Sequence, residues 1–93
     1  MAVTRGKNFI SMSQVGDRVD SRFIVSRVMN GGTANGQLQL ATTHGEGPVD
    51  YDVRFVDVHV AANDPFVLDA GCLAVNGIRV DAKLSDPVIV YYK

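Results

Sequence analysis

The sequence predicts a small, single-domain, all-β protein. Apolar and polar side chains alternate with a period of two in Val19–Val28 and again in Gln37–Thr43, which is typical of half-buried strands. Glycine and asparagine cluster between these two segments, as they do in the loops of β-hairpins. The chain has 93 residues, which is enough for one hydrophobic core and too few for a second domain.

The first half of the chain is predicted to form a long hairpin. Residues 1–14 are mixed and polar, so we expect a flexible segment or a short cover strand there, followed by a single domain over 15–93. In the first strand of the hairpin, the side that carries Phe23 and Val25 is expected to face the core. The loop Met29–Gly36 is rich in residues that tolerate positive φ, and we expect it to be exposed and mobile.

The next two strands follow the same alternation, with one interruption. Leu38 and Leu40 are predicted to point inward. The run Val49–Val60 changes phase between Phe55 and Val56. Because the side-chain period of a strand is two, this change predicts a bulge or a sharp bend at that point.

The second half of the chain contains a helix signal and a turn signal. Asp64 is a candidate cap, Pro65 suits the first helical position, and Gly71 would end a helix of about two turns. Asn76-Gly77 is a strong signal for a tight hairpin. The strands of this hairpin are predicted at Cys72–Val75 and Ile78–Leu84.

Short motifs of glycine, aspartate and asparagine occur in a set order along the chain. They are Val15-Gly16-Asp17-Arg18-Val19, Phe23-Ile24-Val25, Asn35-Gly36 before Leu38 and Leu40, and Ala70-Gly71-Cys72-Leu73-Ala74-Val75-Asn76-Gly77. A glycine-aspartate entry, an asparagine-glycine loop end and a glycine-led fourth strand, in this order, resemble the OB-fold. The resemblance covers roughly residues 15 to 92. It implies a five-stranded Greek-key barrel, here with at most one short helix.

The resemblance also implies a function. OB-folds of this kind bind single-stranded nucleic acid across strands two and three, between two loops. Here those loops would be Met29–Gly36 and Asn76-Gly77. The expected ligand is single-stranded nucleic acid, DNA rather than RNA, bound with little sequence specificity.

Cations for phosphates and aromatic rings for bases are the side chains that such binding needs. The net charge is −1, so the cations must be gathered on one face, because no overall basic excess supplies the affinity. The alternative is that these side chains have no binding role: the aromatic rings fill the core, and the charged side chains keep the outer faces of the strands in contact with solvent. Tyr91 is a further possible platform for a base. The predicted binding residues are Arg22, Arg27, Gln39, Tyr51, Arg54, Phe55, Arg79 and Lys83.

The sequence gives no support to an enzyme, a cofactor or a metal site. His44, His59 and Cys72 have no partner at the spacing of zinc ligands. Asp50 and Asp52 alternate with apolar residues, as side chains on a solvated strand face do. We therefore expect a non-enzymatic protein without catalytic residues.

The alternative function is that of a structural or assembly module, of the kind found in phages and viruses. The last predicted strand, Val88–Tyr92, is apolar. It would pair with another copy through an edge formed by Val88, Val90 and Tyr91, because unpaired strand edges recruit partners. A homo-oligomer suits either function.

The expected setting is the cytoplasm. No run approaches the roughly 18 apolar residues of a membrane span, and the first residues lack the apolar run of a signal peptide. The chain has one cysteine, Cys72, which suits a reducing compartment.

Overall fold

The computed structural model of the protein describes residues 3–42 and 53–93, and within these ranges its regular structure is strand with no helix. The prediction of an all-β protein is therefore confirmed. The strands are β1 (Val3–Arg5), β2 (Phe9–Met12), β3 (Arg18–Asn30), β4 (Gly36–Thr42), β5 (Val53–Val60), β6 (Phe66–Ala82) and β7 (Val88–Tyr92).

All seven strands belong to one antiparallel sheet with the order β1-β2-β7-β3-β6-β4-β5. The sheet is not closed, and the five-stranded barrel stays a prediction. The segment 1–14 contributes the β1–β2 pair at one end of the order. The prediction that β7 is an edge strand is wrong, because β7 pairs with both β2 and β3. Its side chains Val88 and Val90 are fully buried.

The buried side chains form one cluster on one face of the sheet. The cluster joins Ile10 of β2 to Val56 of β5, although these strands lie far apart in the strand order. The sheet must therefore curl around its own inner face. The residues predicted to face the core do so, with exposures of 2% for Phe23 and 0% for Val25, Leu38 and Leu40.

The predicted irregularity in β5 is confirmed. Leu40 pairs with Val56 and the next residue, Ala41, pairs with Arg54. Phe55 is thus the extra residue of a bulge, which explains why the apolar phase changes at this point in the sequence.

The predicted helix after Asp64 is wrong, because β6 begins at Phe66 and continues for 17 residues. Asn63 has a positive φ of 58° and lies in the turn that precedes the strand. An isolated helix of two turns is marginal in water, whereas pairing with β3, including the pair Asn30 and Phe66, satisfies the backbone of this segment along its length.

The predicted hairpin at Asn76-Gly77 is also wrong, because both residues lie inside β6. Gly77 does adopt a positive φ of 81°. In the ladder to β3, Arg22 pairs with Asn76 and Val19 pairs with Ile78, so two residues of β3 lie opposite Gly77. Gly77 therefore lies opposite a bulge of β3 and not in a turn. The second binding loop that was expected at Asn76-Gly77 is strand instead.

The start of the predicted loop Met29–Gly36 is buried rather than exposed. Asn30 is 3% exposed, and Gly31 and Gly32 are buried as well. A Cβ atom on Gly32 would lie 2.5 Å from Ser85 Oγ and 2.8 Å from Ser85 N. Only a residue without a side chain fits so close to the turn that precedes β7.

Candidate nucleic-acid interface

A row of side chains crosses four neighbouring strands on the face opposite the core, which we call the outer face. Phe9 of β2 pairs with Tyr91 of β7, and Arg27 of β3 pairs with Tyr91 and with Asp69 of β6. Directly paired residues of antiparallel strands share a face. The register therefore brings two aromatic residues, an arginine and an aspartate to neighbouring positions on one face.

An open pocket of about 240 Å³ lies along this row. Ser26 Oγ donates a hydrogen bond to Tyr91 O at 3.2 Å. Arg27 Nε lies 3.6 Å from Asp69 Oδ1, and these two side chains are 50% and 77% exposed. The polar side chains at the pocket are thus accessible to a ligand. The pocket is lined by Asn8, Ser26, Arg27, Asp69, Tyr91 and Tyr92.

Apolar side chains flank the row of Phe9, Tyr91, Arg27 and Asp69, which we call the aromatic row. Met29 pairs with Ile89 and with Val67, and Val67 is 51% exposed. On the other side of the row, Ile24 is 44% exposed. Exposed apolar side chains next to aromatic rings provide a surface on which planar groups can pack.

Two cations stand beside Ile24 at the far end of this surface. Arg22 Nε donates to Asn76 Oδ1 at 3.2 Å. The backbone N–H of Lys93 donates to Ile24 O at 2.9 Å, and Lys93 Nζ lies 3.1 Å from Cys72 Sγ. Within 3–42 and 53–93, neither Arg22 nor Lys93 forms a salt bridge. Both charges remain available to an anionic ligand, although the net charge of the chain is −1.

The end of β7 is fixed by contacts on the inner side of the sheet. The rings of Phe23 and Tyr92 lie 5.0 Å apart, and the guanidinium of Arg5 lies 5.1 Å from the Phe23 ring centre and 5.6 Å from that of Tyr92. Tyr92 Oη donates to Gly6 O at 3.1 Å. Because Tyr92 is held in this way, the adjacent Tyr91 is positioned on the outer face.

Like Arg27, the predicted binding residues Arg54 and Arg79 are paired with carboxylates. Arg79 Nε lies 2.7 Å from Asp81 Oδ1, Arg54 Nε lies 3.2 Å from Asp81 Oδ2, and Arg54 Nη1 lies 3.8 Å from Asp57 Oδ2. The hydrogen bond from Arg79 and a further one from Arg54 hold the pKa of Asp81 below its ordinary value against the effect of burial. Asp81 is therefore charged at neutral pH, and this group has little positive charge left for phosphates.

The remaining predicted residues lie in several places. Gln39 Nε2 donates to Asp57 Oδ1 at 3.2 Å, beside the paired arginines. Phe55 is half-buried and packs against the core cluster. Lys83 Nζ donates to the carbonyls of Leu84 and Asp86. The prediction for Tyr51 lies outside the described residues. Of the predicted residues that the structure describes, only Arg22 and Arg27 lie on the part of the outer face around the row and Ile24.

Sequence reasoning missed Phe9, Asp69 and Lys93 as members of the outer face. A signal for Phe9 was present, since Phe9-Ile10-Ser11-Met12 alternates and its inward members Ile10 and Met12 are fully buried. Asp69 lies within the segment that was predicted as a helix, and a helix there would not pair with the strand that carries Arg27.

No three histidine, cysteine, aspartate or glutamate side chains of the described chain are grouped so that they would hold a metal ion. In this part of the chain, no helix has the length and apolar character needed to cross a membrane.

Comparisons of the chain with protein-family profiles, with curated proteins and with solved structures find no match. Function must therefore be argued from the outer face itself.

Proposed function

We propose that this protein binds single-stranded nucleic acid, DNA rather than RNA, without enzymatic activity and with little sequence specificity overall. The observation that carries the proposal is the aromatic row of the outer face, with Tyr91 beside Phe9 and the cations Arg22 and Lys93 farther along the same surface. Stacking on aromatic rings contributes about 1–3 kcal/mol per base, and cations beside the rings can follow the phosphates.

The proposed binding mode is that of an OB-fold, with a curled, open sheet in place of a closed barrel. The curled sheet would serve as the barrel wall, and its outer face between β7 and β6 would be the binding platform. The cytoplasm remains the proposed location, because the single cysteine, Cys72, is exposed and unpaired and suits a reducing compartment.

Direct binding tests this function. Fluorescence anisotropy at low salt is expected to give a dissociation constant in the micromolar range for labelled oligo-dT, as for other non-specific binders, and weaker binding of labelled oligo-U. Tyr91→Ala should weaken binding about tenfold through the loss of one stacking platform. Tyr91→Phe, which keeps the ring, is the matched control and should bind like the wild type.

Circular dichroism of both Tyr91 variants would check that they fold. Absence of binding by the wild type at tens of micromolar protein would refute the function. Equal affinities of Tyr91→Ala and Tyr91→Phe would move the site away from the aromatic row.

A second proposed function is that of a homo-oligomeric assembly module. Since β7 is an inner strand, association through Val88, Val90 and Tyr91 as an edge is no longer part of it. The favouring observation is that β5, eight residues long, ends the strand order and, among the strands of residues 3–42 and 53–93, pairs with β4 alone. Two such edges can join about a twofold axis and extend the sheet across both copies.

Size-exclusion chromatography with light scattering tests the assembly function. The wild type is expected to be a dimer, and His59→Lys should shift it toward monomer, because a lysine on an edge strand opposes pairing. His59 is exposed, so the fold should tolerate the change. His59→Gln, which adds no charge, should leave the dimer intact. A monomeric wild type at high concentration would exclude this assembly.

A further inference from the structure

Asp69 is an acidic residue in the middle of a surface that would have to attract phosphates. Its carboxylate is 77% exposed and lies 3.6 Å from Arg27. An exposed ion pair of this kind contributes about 0–1 kcal/mol to stability, so stability alone explains little of its presence. A carboxylate also repels phosphate groups. A role that uses its two acceptor oxygens explains both its exposure and its position beside Tyr91.

The Arg27–Asp69 pair offers hydrogen-bond donors next to two hydrogen-bond acceptors. The guanidinium only donates, and the ionised carboxylate only accepts. The Watson–Crick edge of guanine has the matching order, with the acceptor O6 followed by the donors N1–H and N2–H. Adenine and cytosine present one amino group next to an acceptor ring nitrogen, and thymine presents one N–H between two carbonyls. Guanine alone places two adjacent donors opposite a carboxylate.

We propose that the outer-face pocket binds a single guanine base, with the ring stacked on Tyr91, O6 accepting from Arg27, and N1–H and N2–H donating to Asp69. This inference rests on the proposed single-strand binding and adds a guanine preference at one position. The pocket volume of about 240 Å³ is smaller than the range of about 300–1,000 Å³ for sites of drug-sized ligands. Its size therefore suits one base, and Asn8 and Ser26 provide further polar atoms along its wall.

The test compares oligo-dT carrying one central dG, dI, dA or dC with oligo-dT alone, by anisotropy at low salt. The dG oligonucleotide is expected to bind about fivefold more tightly than the dA, dC and all-dT oligonucleotides, at the low end for bidentate base contacts because the pair is exposed. Inosine keeps O6 and N1–H but lacks the N2 amino group, so dI should fall between dG and dA.

The variant Asp69→Asn separates base recognition from charge. It should abolish the preference for dG and, because it removes a negative charge, bind oligo-dT more tightly than the wild type does. Asp64→Asn is the matched control, since Asp64 is exposed and does not line the pocket. This control removes the same charge and should keep the preference for dG.

The possible failures can be told apart. Binding of oligo-dT with equal affinities for dG and dA would overturn the guanine inference and leave the proposed function standing. A preference for dG that survives in Asp69→Asn would also overturn the inference. Absence of binding by every oligonucleotide would overturn the inference and the proposed function together.

Discussion

Replacing Asn30 by alanine is expected to lower the free energy of unfolding by about 3 kcal/mol. Asn30 is 3% exposed, and its side chain joins the end of β3 to the turn before β7. Nδ2 donates to Asp86 O at 2.9 Å and to Pro87 O at 3.3 Å, and Leu84 N donates to Oδ1 at 2.9 Å. Alanine would leave a buried N–H without a partner, at a cost of about 1–3 kcal/mol, and would remove the two bonds to carbonyls.

Urea denaturation followed by circular dichroism measures this loss. Asn35→Ala is the matched control, because Asn35 Oδ1 accepts from Ala62 N at 2.7 Å at an exposed position in the same loop. The control should lose about 1 kcal/mol or less, since water can replace an exposed hydrogen bond. Asn30→Asp keeps the acceptor for Leu84 N but buries a carboxylate against the carbonyls of Asp86 and Pro87, so it should lose at least as much stability as alanine. Similar losses at both asparagines would show that the buried network is not a major source of stability.

This network also explains why the start of the glycine-rich loop is buried, although its sequence predicts exposure. Asparagine and glycine at Asn30, Gly31 and Gly32 carry the local signal of a loop, and β3 does end at Asn30. Their burial depends on partners more than fifty residues away in the sequence, such as Leu84 and Asp86. Local composition identifies the end of a strand, but it does not identify what will pack on it.

Positive φ is an equally ambiguous signal. Gly77 and Gly71 both adopt positive φ, as expected for a hairpin turn and a helix end, yet both lie within β6. Glycine serves turns, caps and bulges alike. Which of these forms depends on whether a neighbouring strand continues past the glycine. That neighbour is β3, which is 13 residues long and so extends beyond the predicted strand Val19–Val28 at both ends.

The sequence predicts which side chains of a single strand point outward, but it does not predict which side chains of other strands lie beside them. Arg22 and Ile24 alternate with Phe23 and Val25 in the sequence, and they are exposed while Phe23 and Val25 are buried. The pairing of Arg54 with Asp81 depends on β4 lying between β5 and β6, and the sequence does not give strand order. An outward arginine was therefore recognised, but its neutralisation by a carboxylate on another strand was not.

The charges of Arg22 and Lys93 are expected to carry much of the affinity for single strands. The double variant Arg22→Gln/Lys93→Gln should bind oligo-dT about 30-fold more weakly at 100 mM salt, if each exposed contact to a phosphate contributes about 1 kcal/mol. The slope of the logarithm of affinity against the logarithm of salt concentration should fall by about 0.7 for each contact, and so by about 1.4 in total.

A control with the same change in net charge shows whether position matters. Arg18→Gln/Arg54→Gln removes two cations that are paired with acids, since Arg18 Nε lies 2.6 Å from Asp20 Oδ1 and Arg54 lies 3.2 Å from Asp81. Screening over about 10 Å at this salt concentration limits the reach of distant charges. The control should weaken binding less than about threefold and leave the salt slope nearly unchanged. Equal effects of the two double variants would mean that only net charge matters, and that the outer face is not the binding surface.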